Sequence, residues 1–221
     1  MSEFLKKYGL FLGAFVVFSI VVLSLFYSAL KPKKTLPIYN PADVNPELVD
    51  STVQYKSKYH TIADFSFTNQ NGETITQKDY EGKIYVADFF FTTCATICPK
   101  MTINLEEIQA AFAKNAKVKL LSHTVFPETD SVPVLKAYAK KHHVDDTQWN
   151  LVTGDKKEIY AIARKSYLAV KMGKPEELYD MVHTENFVLV DTKKRVRGFY
   201  DGTNKEDMKR LIEYITFLIN E

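Results

Sequence analysis

Cys94 and Cys98 are the chain's only thiols, set four positions apart in Cys94-Ala95-Thr96-Ile97-Cys98-Pro99. Residues i and i+4 lie on one helix face about 6 Å apart, and disulfides tolerate Cα separations of about 4.4–6.8 Å. Such a pair can therefore share one metal ion or close a disulfide. Two cysteines confined to one point are not the cross-linked framework of a small secreted domain. They point to chemistry at that point; a merely structural disulfide is the plain alternative. Thiolates bind soft metals and attack disulfides, and a helix N-terminus favours the thiolate. Pro99 pre-sets a helical backbone angle near that first turn.

The donor count narrows the metal. Two cysteines do not satisfy an iron–sulfur cluster. The run lacks the Cys-x-x-Cys-His of haem attachment. Structural zinc takes a fuller set of Cys and His ligands. Cu(I) is soft, prefers thiolates and accepts few ligands, so two thiolates and one imidazole suit it.

Five histidines compete for the imidazole role: His60, His123, His142, His143 and His183. His142 and His143 follow Lys140-Lys141, reading as solvated residues at a helix end. His60 sits at a linker exit. His123 falls in or at the end of a strand, where a satisfied core histidine is the ordinary outcome. His183, in Met181-Val182-His183-Thr184-Glu185, precedes a strand and could approach a cysteine loop. Position alone leaves it open.

The cysteines need a scaffold. Ile84–Phe91 is an apolar run broken only by Asp88, the pattern of a central strand covered on both faces. Leu105, Ile108 and Phe112 recur at helical spacing directly after the pair. A site at this strand-to-helix junction lies where α/β sheets bind ligands. Further on come a strand over Val118–Val125, a helix with Val134, Leu135 and Tyr138, and a helix with Ile159, Ile162 and Ala163. Asn186–Val190 and Val196–Tyr200 read as a hairpin around Thr192-Lys193-Lys194. Leu211, Tyr214, Ile215 and Leu218 mark a closing amphipathic helix. Upstream, Ala63–Thr68 alternates before a turn at Asn69–Gly72, with a return over Glu73–Thr76. This order predicts an α/β domain with a mixed sheet flanked by helices, which a thioredoxin-like arrangement fits.

Tyr8–Leu30 contains no charged residue, and about 20 such residues span a bilayer. A cleaved signal peptide has a shorter apolar core and a small-x-small site, which Ser28-Ala29-Leu30 does not supply. The expected organisation is a cytoplasmic tail (1–7), a transmembrane anchor (8–30), a linker rich in proline (31–58) and a globular domain (59–221). A short N-terminal tail ordinarily stays in the cytoplasm, which places the domain on the periplasmic side. With 29 basic and 27 acidic residues and no basic cluster, nucleic acid is not an expected partner.

The run Phe90-Phe91-Thr92-Thr93-Cys94-Ala95-Thr96-Ile97-Cys98-Pro99 resembles the copper motif of the SCO/SenC family. His183-Thr184-Glu185-Asn186-Phe187-Val188-Leu189-Val190-Asp191 resembles that family's metal-binding histidine with its following strand. Leu36–Pro41, Ile62–Phe67 and Pro127–Asp130 are similar too. The resemblance implies a thioredoxin-like fold and a copper ion held by Cys94, Cys98 and His183. It also implies a role in assembling the dinuclear copper centre of cytochrome c oxidase, with subunit II as partner. Many members carry Pro and Asp where this chain has Ala95 and Thr96, and an aspartate where it has Phe126. A membrane-tethered thiol–disulfide oxidoreductase using the pair Cys94 and Cys98 is the alternative. Against it stand the Cys-x-x-x-Cys spacing, where thioredoxins use Cys-x-x-Cys, and the lack of a proline just before the facing strand.

Overall fold

The computed structural model describes residues 3–30, 35–172, 181–182 and 185–221. The chain divides into two units, Met1–Thr35 and Leu36–Glu221. In the first, Glu3–Leu30 forms one helix, α1. Its stretch Lys7–Tyr27, 21 residues of mean hydropathy 2.6, is long and apolar enough to cross a membrane. At a rise of about 1.5 Å per residue it matches the roughly 30 Å of a bilayer's hydrocarbon core.

The second unit begins with a hairpin of β1 (Ser66–Asn69) and β2 (Thr74–Thr76). Then come β3 (Ile84–Phe90), α2 (Cys98–Ala111), β4 (Val118–Thr124), α3 (Val132–Lys141), β5 (Trp149–Thr153) and α4 (Lys156–Lys165). Two-residue strands β6 (Lys171–Met172) and β7 (Met181–Val182) pair with each other. The chain closes with β8 (Asn186–Val190), β9 (Val196–Asp201) and α5 (Lys205–Ile219). Seven strands form one sheet in the order β2-β1-β5-β4-β3-β8-β9. β3, β4 and β5 run parallel, while β1, β8 and β9 join antiparallel. This is a mixed sheet between helical layers, a thioredoxin-like fold.

Every residue of β3 is buried. Ile84, Val86 and Phe90 face a core shared with α2, α3 and α5. Tyr85, Ala87 and Phe89 face the other core, shared with α4. Successive side chains alternate between faces, so a strand covered on both sides reads as continuously apolar. The parallel steps β3–α2–β4 and β4–α3–β5 leave the sheet's carboxyl ends beside the loop that carries the cysteines.

Two differences from the sequence reading have physical causes. The linker expected over 31–58 belongs, from Leu36 onward, to the globular unit. Leu36 and Val49 are buried there. Arg197, itself buried, donates to the carbonyls of Leu36 and Pro37, each at 3.0 Å. Arg164 donates likewise to the carbonyls of Glu47 and Val49. A stretch rich in proline lacks apolar periodicity, yet its carbonyls remain good acceptors for buried Arg197 and half-buried Arg164. Second, β5 has no counterpart in the sequence reading. Its five residues are too few to show a period, and parallel pairing with β4 recruits them.

Candidate functional site

β3 hands the chain to the loop 91–97, and α2 opens at Cys98. Cys94 therefore precedes the helix, and the two cysteines do not share a helix face as the i,i+4 spacing suggests. A turn intervenes: the Cys94 amide donates to the Phe91 carbonyl at 3.2 Å. It folds Cys94 back toward the start of α2, where the Cys98 amide and thiol both reach it. Both residues are free thiols. Cys98 is 1% exposed and Cys94 8%, so Cys94 is the more accessible.

Their ionisation differs sharply. Burial pushes the Cys94 thiol up, but the amides of Cys98 and Thr96 and the Thr96 hydroxyl more than offset it, lowering its pKa to about 7. The Thr96 Oγ1 lies 3.6 Å from the Cys94 sulfur. Burial holds the Cys98 thiol far above the ordinary cysteine range, with the neighbouring Cys94 sulfur adding to it. At neutral pH the pair thus holds one partly ionised and one protonated sulfur.

A carboxylate fixes the loop from below. Asp130, fully buried at the start of α3, accepts from the Thr92 amide at 3.1 Å and from the Thr92 hydroxyl at 2.5 Å. It also accepts from the Thr124 hydroxyl at 2.5 Å. The Val125 amide donates to the Phe90 carbonyl at 2.8 Å. The loop after β4 is thereby tied to the loop after β3. Asp130 shows in the sequence only as a point of likeness, because its partners lie 38 and 6 residues away. On the far side of Cys98, the Thr102 hydroxyl donates to the Cys98 carbonyl at 2.9 Å and bonds the Tyr138 hydroxyl at 2.7 Å.

Asp88, the single break in the apolar run, lies 2% exposed on the face of β3 that looks toward α2. It accepts from the Ser122 hydroxyl at 2.5 Å, which in turn accepts from the Trp149 indole at 2.8 Å. Burial pushes its carboxyl up to about 7 despite that bond.

The histidines sort by burial. His60 is buried and its Nε2 donates to the Ser166 carbonyl at 2.7 Å, so it belongs to the domain rather than to a linker exit. His123 is a core residue, stacked on Phe89 with ring centroids 5.0 Å apart, but neither ring nitrogen meets a hydrogen-bond partner among the described residues, so it is not the satisfied core histidine expected. His142 is not solvated: it packs on Tyr138 and bonds Glu106 at 3.0 Å. His143 is exposed, at φ 51° just past the end of α3. His183 lies outside the described residues. Among the described residues no group of three His, Cys, Asp or Glu side chains forms a metal cluster, so the described core of the site is the thiol pair.

Residues 53–220 match the sequence profile of SCO1/SenC. The chain belongs to the SCO1/SenC family. It is 34% identical over 145 residues to the SCO1 protein homolog of Bacillus subtilis (strain 168), covering 65% of this chain and 75% of that protein. BsSco, described as a member of the Sco family of cytochrome c oxidase assembly proteins with a disulfide switch, superposes with TM-score 0.62 at 31% identity. That match covers 72% of this chain and 93% of BsSco. ScoI of Bradyrhizobium japonicum, solved with copper bound, gives TM-score 0.56 at 27% identity, covering 71% of this chain and 99% of ScoI. The donor chemistry of this SCO1/SenC chain fits copper. Two adjacent sulfurs, one poised near neutral pH, are the soft ligands that Cu(I) selects.

Proposed function

We propose that this chain is a membrane-anchored copper metallochaperone. Cys94, Cys98 and His183 hold one copper ion, Cu(I) or Cu(II), as cargo for the dinuclear copper centre of cytochrome c oxidase, with subunit II as partner. The observation that carries this reading is the thiol pair at the carboxyl end of β3, with Cys94 lowered to about 7. The copper bound to ScoI supports it. Metal binding needs deprotonated ligands, so copper displaces the proton from each thiol and takes neutral imidazole from His183. Delivery then proceeds by exchange of these ligands for those of the partner. α1 anchors the chain, 31–35 is the tether, and the unit from Leu36 works on the periplasmic side.

A second reading rests on the split between the two thiols and on the disulfide switch described for BsSco. The Cys94 thiolate would attack a partner disulfide and release one partner thiolate. Cys98 would then resolve the mixed disulfide, leaving Cys94–Cys98 oxidised and the partner reduced by two electrons. X-ray absorption of the copper-loaded full chain in detergent decides the ligand set. Two sulfurs and one imidazole nitrogen are expected, with the nitrogen lost in His183→Ala. An unchanged spectrum in that variant removes His183 from the site.

A further inference from the structure

In the sequence between α1 and β1, five consecutive residues are exposed: Tyr55-Lys56-Ser57-Lys58-Tyr59. Tyr55 is 77% exposed and Tyr59 is 96% exposed. Two such tyrosines on one short loop give it exposed aromatic surface, each ring carrying a polar hydroxyl tip. Tyr59 is also held at φ 60°, a left-handed conformation that a bulky residue seldom adopts. The next residue explains how this is enforced. His60 turns inward, its ring on the Ser166 carbonyl and its amide donating to Asn40 Oδ1 at 3.3 Å. Ile62, fully buried, donates to the Lys194 carbonyl at 2.8 Å. With His60 pinned in the core, Tyr59 is driven outward. The Lys56 carbonyl accepts from the Ala42 amide at 3.0 Å, which fixes the segment's other end. Two tyrosines and two lysines are thus presented together on a braced loop.

We propose that this loop docks onto an anionic membrane surface. Tyrosine favours the headgroup level, where its ring is apolar and its hydroxyl wet. Lysine is drawn to anionic lipid, and its stem tolerates the interface. Among the described residues no carboxylate forms an ion pair with Lys56 or Lys58. Asp43 is engaged by Asn40, and Asp50 by Thr52. Chain length agrees, because Leu36 follows the end of α1 by six residues, which reach at most about 20 Å. The inference rests on the anchor reading of α1. Its consequence is orientational: docking restricts which way the cysteine loop faces.

The test uses the full chain in proteoliposomes, with Tyr59→Trp as reporter and Tyr55→Trp as an independent second. The native Trp149 is 1% exposed and supplies a constant background. On bilayers containing phosphatidylglycerol, the reporter emission should shift to the blue and be quenched by lipids brominated near the headgroup. Lys56→Gln with Lys58→Gln should weaken docking about 25-fold, roughly fivefold per lysine. Reporters that stay red-shifted and unquenched, in chains that resist carbonate extraction, overturn the docking and leave the loop to a protein partner. Chains that carbonate strips from the vesicles overturn the anchor reading, and the docking with it.

Discussion

Cys94 and Cys98 differ by burial and by what faces each sulfur. Cys94 receives two amides and a hydroxyl, whereas Cys98, the first residue of α2, sits deeper. A thiol reacts as its thiolate, so the alkylation rate of Cys94 should rise tenfold per pH unit below its pKa and level off above about 7. Cys98 should stay unmodified across the same range. Iodoacetamide labelling read by peptide mass checks this; equal labelling of both would contradict the asymmetry. Thr96→Val removes one of the donors and should move the Cys94 midpoint upward. The cysteine pair was legible at once, since two thiols in 221 residues mark one place. Their asymmetry was not. It depends on the turn at Phe91–Cys94, which replaces the helical geometry that i,i+4 spacing suggests.

At the level of elements, the site is a joint between two loops. Asp130 ties the loop after β4 to Thr92 in the loop after β3, using both carboxylate oxygens. Asp130→Ala leaves three donors without their acceptor, two on half-buried Thr92 and one on buried Thr124, and should cost about 3 kcal/mol, at roughly 1 kcal/mol each. Asp130→Asn keeps one good acceptor oxygen and should cost about half. Urea unfolding of the full chain measures both, and a loss below about 0.5 kcal/mol for the alanine variant would exclude the clamp. Long apolar or periodic segments such as β3 and α5 were readable because their pattern exceeds a turn or two. β5, β6 and β7 were not, since strands of five and two residues take their conformation from partners. The same holds for Asp130, whose role lies entirely in contacts distant along the chain.

Across the whole globular unit, opposed titrations meet in the core. His123 is lowered to about 3 by burial, so its neutral form is favoured by folding. Its contribution is full above its unfolded value of 6.5 and is lost as pH falls toward 3. Asp88, one step away in register on the neighbouring strand, runs the other way. Folding raises its pKa from 3.8 to about 7, so its contribution is full at low pH and is lost as pH rises through 7. Asp88→Asn removes only that loss. It should therefore stabilise the chain by about 2–3 kcal/mol more at pH 8 than at pH 5, read from urea midpoints at both pH values. A pH-independent effect would mean Asp88 is already ionised in the fold.

Copper carriage stands or falls on whether the Cys94–Cys98 junction holds one copper ion. The most direct test is a Cu(I) competition titration of the reduced full chain against a chromogenic chelator, beside Cys94→Ser and His183→Ala. One copper held per chain is expected, with binding abolished in Cys94→Ser and strongly weakened in His183→Ala. A reduced chain that surrenders all its copper to the chelator, while its thiols still exchange with a partner disulfide, would contradict metal carriage and establish thiol exchange in its place.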